Sequence, residues 1–223
     1  MFLLRKLHGL SEFVLPRNCV FCGTPSQDDE KSICVGCLGD LPWIESNLPL
    51  LAAPFEYAQV PLSYDFPIDV AIKALKFNRK LFYAPPLAEI LCSACTQLPG
   101  DIDALLPVPL HWRRKARRGF NQAMEIGKPV ARHLGLPLVR GVYRRHATPF
   151  QSGLSASERS RNLRHAFACR GNISYKHVLI VDDVITTGAT TTQLAQLLLQ
   201  HDVERVSVLA VARATRIRRR RSD

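Results

Sequence analysis

The chain of 223 residues is poor in acid: 19 Asp and Glu stand against 30 Lys and Arg, a net charge of +11 at pH 7. Such an excess favours polyanions as partners, whether nucleic acid, phosphorylated metabolites or an anionic membrane surface. Long apolar runs are also missing. None approaches the length that spans a bilayer, so no integral membrane insertion is expected. The apolar opening is broken by Arg5 and Lys6, and no small-residue cleavage site follows. An export signal is therefore not expected, and the cytoplasm is the expected location. No internal repeat is visible, and 47% hydrophobic residues argue against a disordered chain.

Cysteine is the exception to this scarcity. Seven cysteines without an export signal argue against a disulfide framework. Four of them, Cys19, Cys22, Cys34 and Cys37, form two Cys-x-x-Cys knuckles whose thiolates can converge on one metal. Gly23 and Gly36 supply turn flexibility beside the knuckles. Four thiolates make a closed tetrahedral site, so the expected ion is structural zinc. Cys92 and Cys95 lie in a helical apolar run with no partner pair and read as small hydrophobes.

The most informative stretch is residues 178–190. Val178-Leu179-Ile180-Val181 reads as a strand buried on both faces, followed by Asp182 and Asp183 and then by Thr186-Thr187-Gly188-Ala189-Thr190. In an open α/β sheet, ligands bind where strands end, so the acids and the turn should face one crevice. The turn offers backbone N–H groups, hydroxyls and a helix N-terminus, all favourable for a phosphate, and Gly188 permits close approach. Two carboxylates cannot bind phosphate. Accepting hydrogen bonds from vicinal sugar hydroxyls suits them, as does holding Mg²⁺ through water. A ribose 5-phosphate satisfies both halves. No lysine follows the glycine, so this is not a Walker A loop.

Along the rest of the chain, residues 1–17 read as an amphipathic helix, and short strands are expected near residues 55–57 and 62–64. Residues 67–77 read as a helix with Pro at its start, and Pro85 and Pro86 open another. Residues 104–110 read as a strand and its exit loop, residues 119–133 as a helix that Pro129 must break or kink, and residues 136–142 as a second strand. Strand 178–182, helix 190–200 and strand 206–212 complete a βαβ pattern. The alternation implies a mainly parallel sheet with right-handed crossovers. The loop after Val108, with Leu110, His111, Arg117 and Arg118, leaves a strand end and should share a crest with the acids. Its arginines can bind diphosphate oxygens bidentately.

The 178–190 run closely resembles the phosphoribosyl pyrophosphate signature of type I phosphoribosyltransferases. The wider arrangement resembles the ComF family of competence and DNA-utilisation proteins. The matching features are the four cysteines, Ile72-Lys73-Ala74-Leu75-Lys76-Phe77, Pro107-Val108-Pro109-Leu110 and Arg117-Arg118-Gly119-Phe120-Asn121-Gln122. Residues 148–154, Arg159-Ser160-Arg161-Asn162-Leu163 and the Asp182–Thr190 run complete them.

The resemblance implies an α/β fold with a type I phosphoribosyltransferase-like open parallel sheet flanked by helices, behind a small N-terminal zinc ribbon. The expected layout is a helix and zinc ribbon at 1–48, linking strands and helices packing on the core at 49–100, the phosphoribosyltransferase-like domain at 101–214, and a basic tail at 215–223. By position, Asp182 and Asp183 would face the ribose hydroxyls in a catalytic role, and residues 186–190 the 5-phosphate. The loop after Val108 would face pyrophosphate, while Thr148, Gln151 and Arg159 would sit in a loop over the site.

Zinc and, with phosphoribosyl pyrophosphate, magnesium are the implied cofactors. Phosphoribosyl pyrophosphate or a nucleotide, single-stranded DNA, and DNA-uptake, helicase or recombination proteins are the implied partners. Three readings stay open on the residues: a phosphoribosyltransferase; a non-catalytic zinc-containing protein whose phosphate nest takes single-stranded DNA, with Trp112, Phe120 or Tyr143 stacking bases; and a zinc-dependent adaptor in a DNA-uptake complex. Neither His111 nor His165 can be assigned as a general base.

Overall fold

The computed structural model describes residues 18–25, 31–44, 54–145 and 166–214. In chain order these form α1 (Val35–Gly39), β1 (Tyr57–Gln59), β2 (Leu62–Ser63), α2 (Ile68–Asn78), α3 (Ala84–Ala94) and β3 (Ala104–Pro107). There follow α4 (Trp112–Arg118), α5 (Gln122–Leu134), β4 (Val142–Arg144), β5 (Phe167–Cys169), β6 (His177–Ile185), α6 (Ala189–Leu199) and β7 (Arg205–Arg213). The expected amphipathic helix at 1–17 and the basic tail lie outside the described residues.

The main sheet has strand order β1-β7-β6-β3, with β2 also on β7, and every pairing is parallel. A parallel sheet needs cover on both faces, and the alternation of side chains supplies it. Leu105, Leu179, Val181, Leu209 and Val211 face one core, shared with Ile72 and Leu75 of α2, Leu87 and Leu91 of α3, and Ile126 and Val130 of α5. Leu106, Val178, Ile180, Val206 and Val208 face the other, shared with Leu194 and Leu198 of α6. Continuous apolar runs in β6 and β7 are thus explained: each side chain meets a helix on one side or the other.

Three local features differ from the sequence expectation. Strand β6 does not stop at Asp182 but pairs with β7 as far as Ile185, so both acids are held in regular strand geometry. The helix expected at 119–133 is present as α5 but starts only at Gln122, and a separate short helix, α4, precedes it. Gly119, with φ 91°, terminates α4, and Asn121 caps α5 by accepting from Ala123 N at 3.2 Å. Within α5, Pro129 is tolerated. The lost backbone hydrogen bond costs about 3 kcal/mol, and burial of Ala123, Ile126, Val130 and Ala131 against sheet and α3 offsets it.

The strand expected at 136–142 is reduced to a single bridge between Leu138 and Leu105. Pro137 has no N–H to donate, and Gly141, at φ 83°, turns the chain away. Residues 142–144 instead pair antiparallel with β5 in a separate two-stranded sheet.

At the opposite, amino end of β6, the fully buried His177 is satisfied on both ring nitrogens, by Ser207 Oγ at 2.8 Å and Asp101 Oδ1 at 3.0 Å. It is a structural histidine.

Leu179 sits at the centre of the sheet between Leu105 and Ser207, with no exposed surface. Leu179→Ala is expected to cost about 2–5 kcal/mol, read as a lower urea midpoint with an unchanged slope.

Candidate functional site

Where β6 and β3 end, a cavity of about 460 Å³ opens against α2, α4 and α5. Asp182, Asp183 and Val184 form its floor, Val108, Pro109 and Leu110 one wall, and Lys76 and Phe77 of α2 another. A smaller adjoining recess of about 90 Å³ is lined by Asp182 and residues 184–191, and so by Thr186, Thr187, Gly188, Ala189 and Thr190. Asp182, Val184 and Thr190 belong to both. The paired acids and the threonine turn are thus neighbours in space as well as in sequence.

Strand periodicity gives the two acids different surroundings. Asp183 shares the face of Leu179 and Val181. It is 2% exposed, and its Oδ2 lies 2.8 Å from Lys76 Nζ. Asp183 Oδ1 also accepts from Val184 N at 2.9 Å. Burial works against the Lys76 ammonium, but the carboxylates of Asp183 and Asp182 outweigh it and hold its pKa above the ordinary lysine value. Asp182 lies on the opposite face, with Oδ1 accepting from Asp183 N at 2.9 Å. Desolvation in the crevice and the adjacent Asp183 charge push its pKa well above the usual carboxylate range.

The turn is built as the motif requires. Gly188 caps α6 at φ 72°, a left-handed conformation that a side chain would strain, and contributes no capping side chain to the helix N-terminus. Thr191 Oγ1 donates to Gly188 O at 2.8 Å, and Ala189 N lies 3.4 Å from Thr187 Oγ1. These bonds hold the first turn of an eleven-residue helix against the recess.

Facing the acids are Arg114, Arg117 and Arg118 of α4 and Arg144 of β4. With Lys76 they make five cationic side chains against two carboxylates. The crowding has a cost: Arg144 is brought down to about 10 by burial and by Arg114, against the pull of Asp182. Burial, with Arg117 as neighbour, likewise lowers Arg114. Arg118 donates to Gln122 Oε1 and lies over the Phe77 ring at 5.7 Å. A polyanion entering here would relieve this like-charge repulsion and gain charge-assisted hydrogen bonds.

Not every residue singled out from the sequence reaches the cavity. Leu110, Arg117 and Arg118 line it. His111 is 4% exposed and structural: its Nδ1 accepts from Arg113 N at 3.2 Å, capping α4, and its Nε2 lies 3.1 Å from Arg145 O. Thr148, Gln151 and Arg159 lie outside the described residues. Arg114, in the basic loop expected beside the acids, lines the cavity too, while Lys76 and Arg144 line it without a role read for them individually from the sequence. For Lys76 a signal existed. It stands four residues after Ile72 on the apolar stripe of α2, where an unpaired lysine would be costly.

The four N-terminal cysteines also converge. Their Sγ atoms all lie within 4.8 Å of one another, and Cys22 and Cys34 are 3.7 Å apart. A tetrahedral zinc with Zn–S near 2.3 Å requires S···S of about 3.8 Å. Backbone N–H groups support the sulfurs: Cys34 N donates to Cys19 Sγ, and Cys37 N to Cys34 Sγ, both at 3.4 Å. Hydrogen bonding with Thr24 draws the Cys22 thiol down to about 6, whereas burial and the neighbouring sulfurs push Cys37 up. A bound cation removes the conflict between crowded thiolates, so the group can hold a metal ion. Among the turns, Gly23 has φ 74°, while Gly36 lies inside α1. Ser32 ties the module to α3, its Oγ donating to Glu89 Oε1 at 2.7 Å. Cys95 is buried, with its thiol 3.1 Å from Leu91 O, and Cys92 is half-buried.

Comparison with known proteins defines the class. The phosphoribosyl transferase domain family matches residues 118–223, which include α5, β6, α6 and β7 and hence the paired acids and the threonine turn. The DNA utilization protein YhgH of Escherichia coli K12 is 34% identical over 209 residues, 87% of this chain and 89% of the relative. Competence protein F of Haemophilus influenzae is 35% identical over 228 residues, 96% and 98% of the two chains. The orotate phosphoribosyltransferase of Aeropyrum pernix aligns with a TM-score of 0.39 at 17% identity, over 61% of this chain and 62% of that one. The protein is an α/β protein of the phosphoribosyltransferase type with an N-terminal four-cysteine cluster. It belongs to the ComF family of competence and DNA-utilisation proteins.

The Lys76–Asp183 pair gives a direct test. Lys76→Met leaves a buried carboxylate without its cation and should cost about 3–5 kcal/mol. Lys76→Met with Asp183→Leu should recover most of that loss. Urea denaturation of both variants checks it.

Proposed function

We propose that the cavity binds phosphoribosyl pyrophosphate or a closely related ribose phosphate, and that the protein serves the use of DNA taken up by the cell. The observation that carries the reading is the meeting in one crevice of three chemistries. Carboxylates sit at a strand end, one of them paired with Lys76, a hydroxyl-lined helix N-terminus adjoins them, and four arginines line the opposite side. The recess at 186–190 suits the 5-phosphate. Asp182, with Asp183 behind it, suits the ribose hydroxyls. Arg114, Arg117, Arg118 and Arg144 suit the diphosphate. The DNA-related role comes from the names of the relatives.

Within this reading, the residues divide the work of phosphoribosyl transfer. The arginines would oppose the charge that grows on the departing diphosphate, and Asp182 would hold the sugar as positive charge develops at its anomeric carbon. Lys76 holds Asp183 in place through their contact at 2.8 Å, which positions the strand end. Lys76 takes one oxygen of Asp183, leaving Asp182 and the ligand's own oxygens as donors for magnesium, a set that this ion accepts. When bound, magnesium would supply further neutralisation of the diphosphate. No side chain is assigned as a base for an acceptor, since His111 is committed to capping α4.

The metal in the cysteine cluster is proposed to be zinc, held structurally by Cys19, Cys22, Cys34 and Cys37 with no open position. Metal analysis of the purified protein should find about one zinc per chain. Cys19→Ser should lose it and lower the melting temperature. An absence of zinc from the wild type would remove the assignment.

For the cavity, Asp182→Asn leaves the Lys76–Asp183 pair in place and removes one charged acceptor. Calorimetric titration with phosphoribosyl pyrophosphate should show affinity reduced by about tenfold or more, the value of a hydrogen bond to a charged group. Zinc content and thermal unfolding should stay unchanged. Equal affinity in wild type and variant would refute the sugar-binding role.

A further inference from the structure

Beside the cavity, the end of α2, the 3₁₀ turn Leu81–Tyr83 and α4 form a ridge with an unusual surface. Phe77 is 63% exposed, Phe82 56% and Trp112 65%. Aromatic rings left this open forgo the burial that normally stabilises them. Each ring is attended by a cation: Arg118 lies 5.7 Å from the Phe77 centroid, Lys80 6.0 Å from Phe82, and Arg113 5.3 Å from Trp112. The elements are tied together, because Arg79 Nη2 donates to Arg117 O at 2.6 Å and Arg118 reaches Phe77. Arg79, Lys80, Arg113, Lys115 and Arg117 are exposed.

We infer that this ridge binds single-stranded nucleic acid, with bases stacking on Trp112 and Phe82 and the backbone following the cations between them. The surface alternates aromatic faces with fixed positive charge. A single strand alternates flat bases with phosphates, and stacking needs no particular sequence. A duplex keeps its base faces covered and could use only the charges. An apolar groove on a protein partner would have to desolvate five exposed cations for three rings, which is unfavourable. The excess of 30 basic over 19 acidic residues acts in the same direction. The ridge shares Phe77, Arg117 and Arg118 with the rim of the ribose-phosphate cavity, whereas Phe82, Trp112, Arg79, Lys80, Arg113 and Lys115 stand outside it. The inference therefore does not depend on what fills the cavity, and it allows both ligands at once.

The test is fluorescence anisotropy with a labelled oligothymidylate of about 15 nucleotides, with and without saturating phosphoribosyl pyrophosphate. The variants are Trp112→Ala and Phe82→Ala, neither of which lines the cavity. Each should weaken oligonucleotide binding about tenfold, with phosphoribosyl pyrophosphate affinity unchanged in calorimetry. Lys80→Gln and Arg113→Gln should each flatten the salt dependence by about 0.7 in log–log slope. A blunt duplex of equal length should bind more weakly than the single strand.

Unchanged oligonucleotide affinity in both aromatic variants would overturn the inference, as would equal or tighter binding of the duplex. So would loss of binding to phosphatidylserine vesicles with oligonucleotide binding intact, which would make the ridge a membrane-facing surface. Failure of the wild type to bind phosphoribosyl pyrophosphate would count against the cavity reading alone.

Discussion

Much of the site rests on one buried ion pair. Asp183 lies on the core-facing side of the central strand, where a bare carboxylate would be expensive, and Lys76 from α2 answers it at 2.8 Å. The pair lets β6 carry two adjacent acids through regular pairing with β7 as far as Ile185. It also leaves Asp182 as the acid turned toward the smaller recess. A helix that precedes the matched domain, residues 118–223, thereby supplies one wall of the cavity and holds its floor in place.

The same economy governs the rest of the cavity. Parallel pairing brings the ends of β3 and β6 to one edge, so the arginine helix after β3 and the threonine turn after β6 must confront each other. Neither wall is electrostatically comfortable alone. Arginines depress one another, and the acids are raised or pinned by a lysine. A sugar carrying phosphates at both ends fits this division, because hydroxyls meet the acids and phosphates meet the amides and guanidinium groups. The cysteine cluster stands apart from this chemistry. It packs through Cys19, Ile33 and Leu41 onto the core shared by α2 and α3, and Glu89 anchors it.

How much of this was legible in the sequence depended on whether the signal was contiguous. The buried strand, its acids and the Thr-Gly turn lie within thirteen residues, and the structure keeps them together. The Cys-x-x-Cys knuckles were equally readable, since ligand count and spacing are local properties. Features assembled from separate elements were harder. Arg144 reaches the cavity only because β4 pairs with β5, a pairing that the pattern near Leu138 obscured. The role of His111 depended on the start of α4, where a ring nitrogen accepts a backbone N–H in place of a ligand. Pro129 suggested a break in α5 because its local penalty is plain in the sequence, whereas the packing that offsets it comes from distant residues.

In the proposed function one ligand is gripped at both ends, the 5-phosphate by the threonine turn and the diphosphate by the arginine cluster. Phosphorus NMR during titration of phosphoribosyl pyrophosphate into the protein tests this most directly, because the two ends give separate resonances. The 5-phosphate and diphosphate signals should both shift or broaden and saturate together. Movement of the diphosphate signals alone, with the 5-phosphate unaffected, would contradict it.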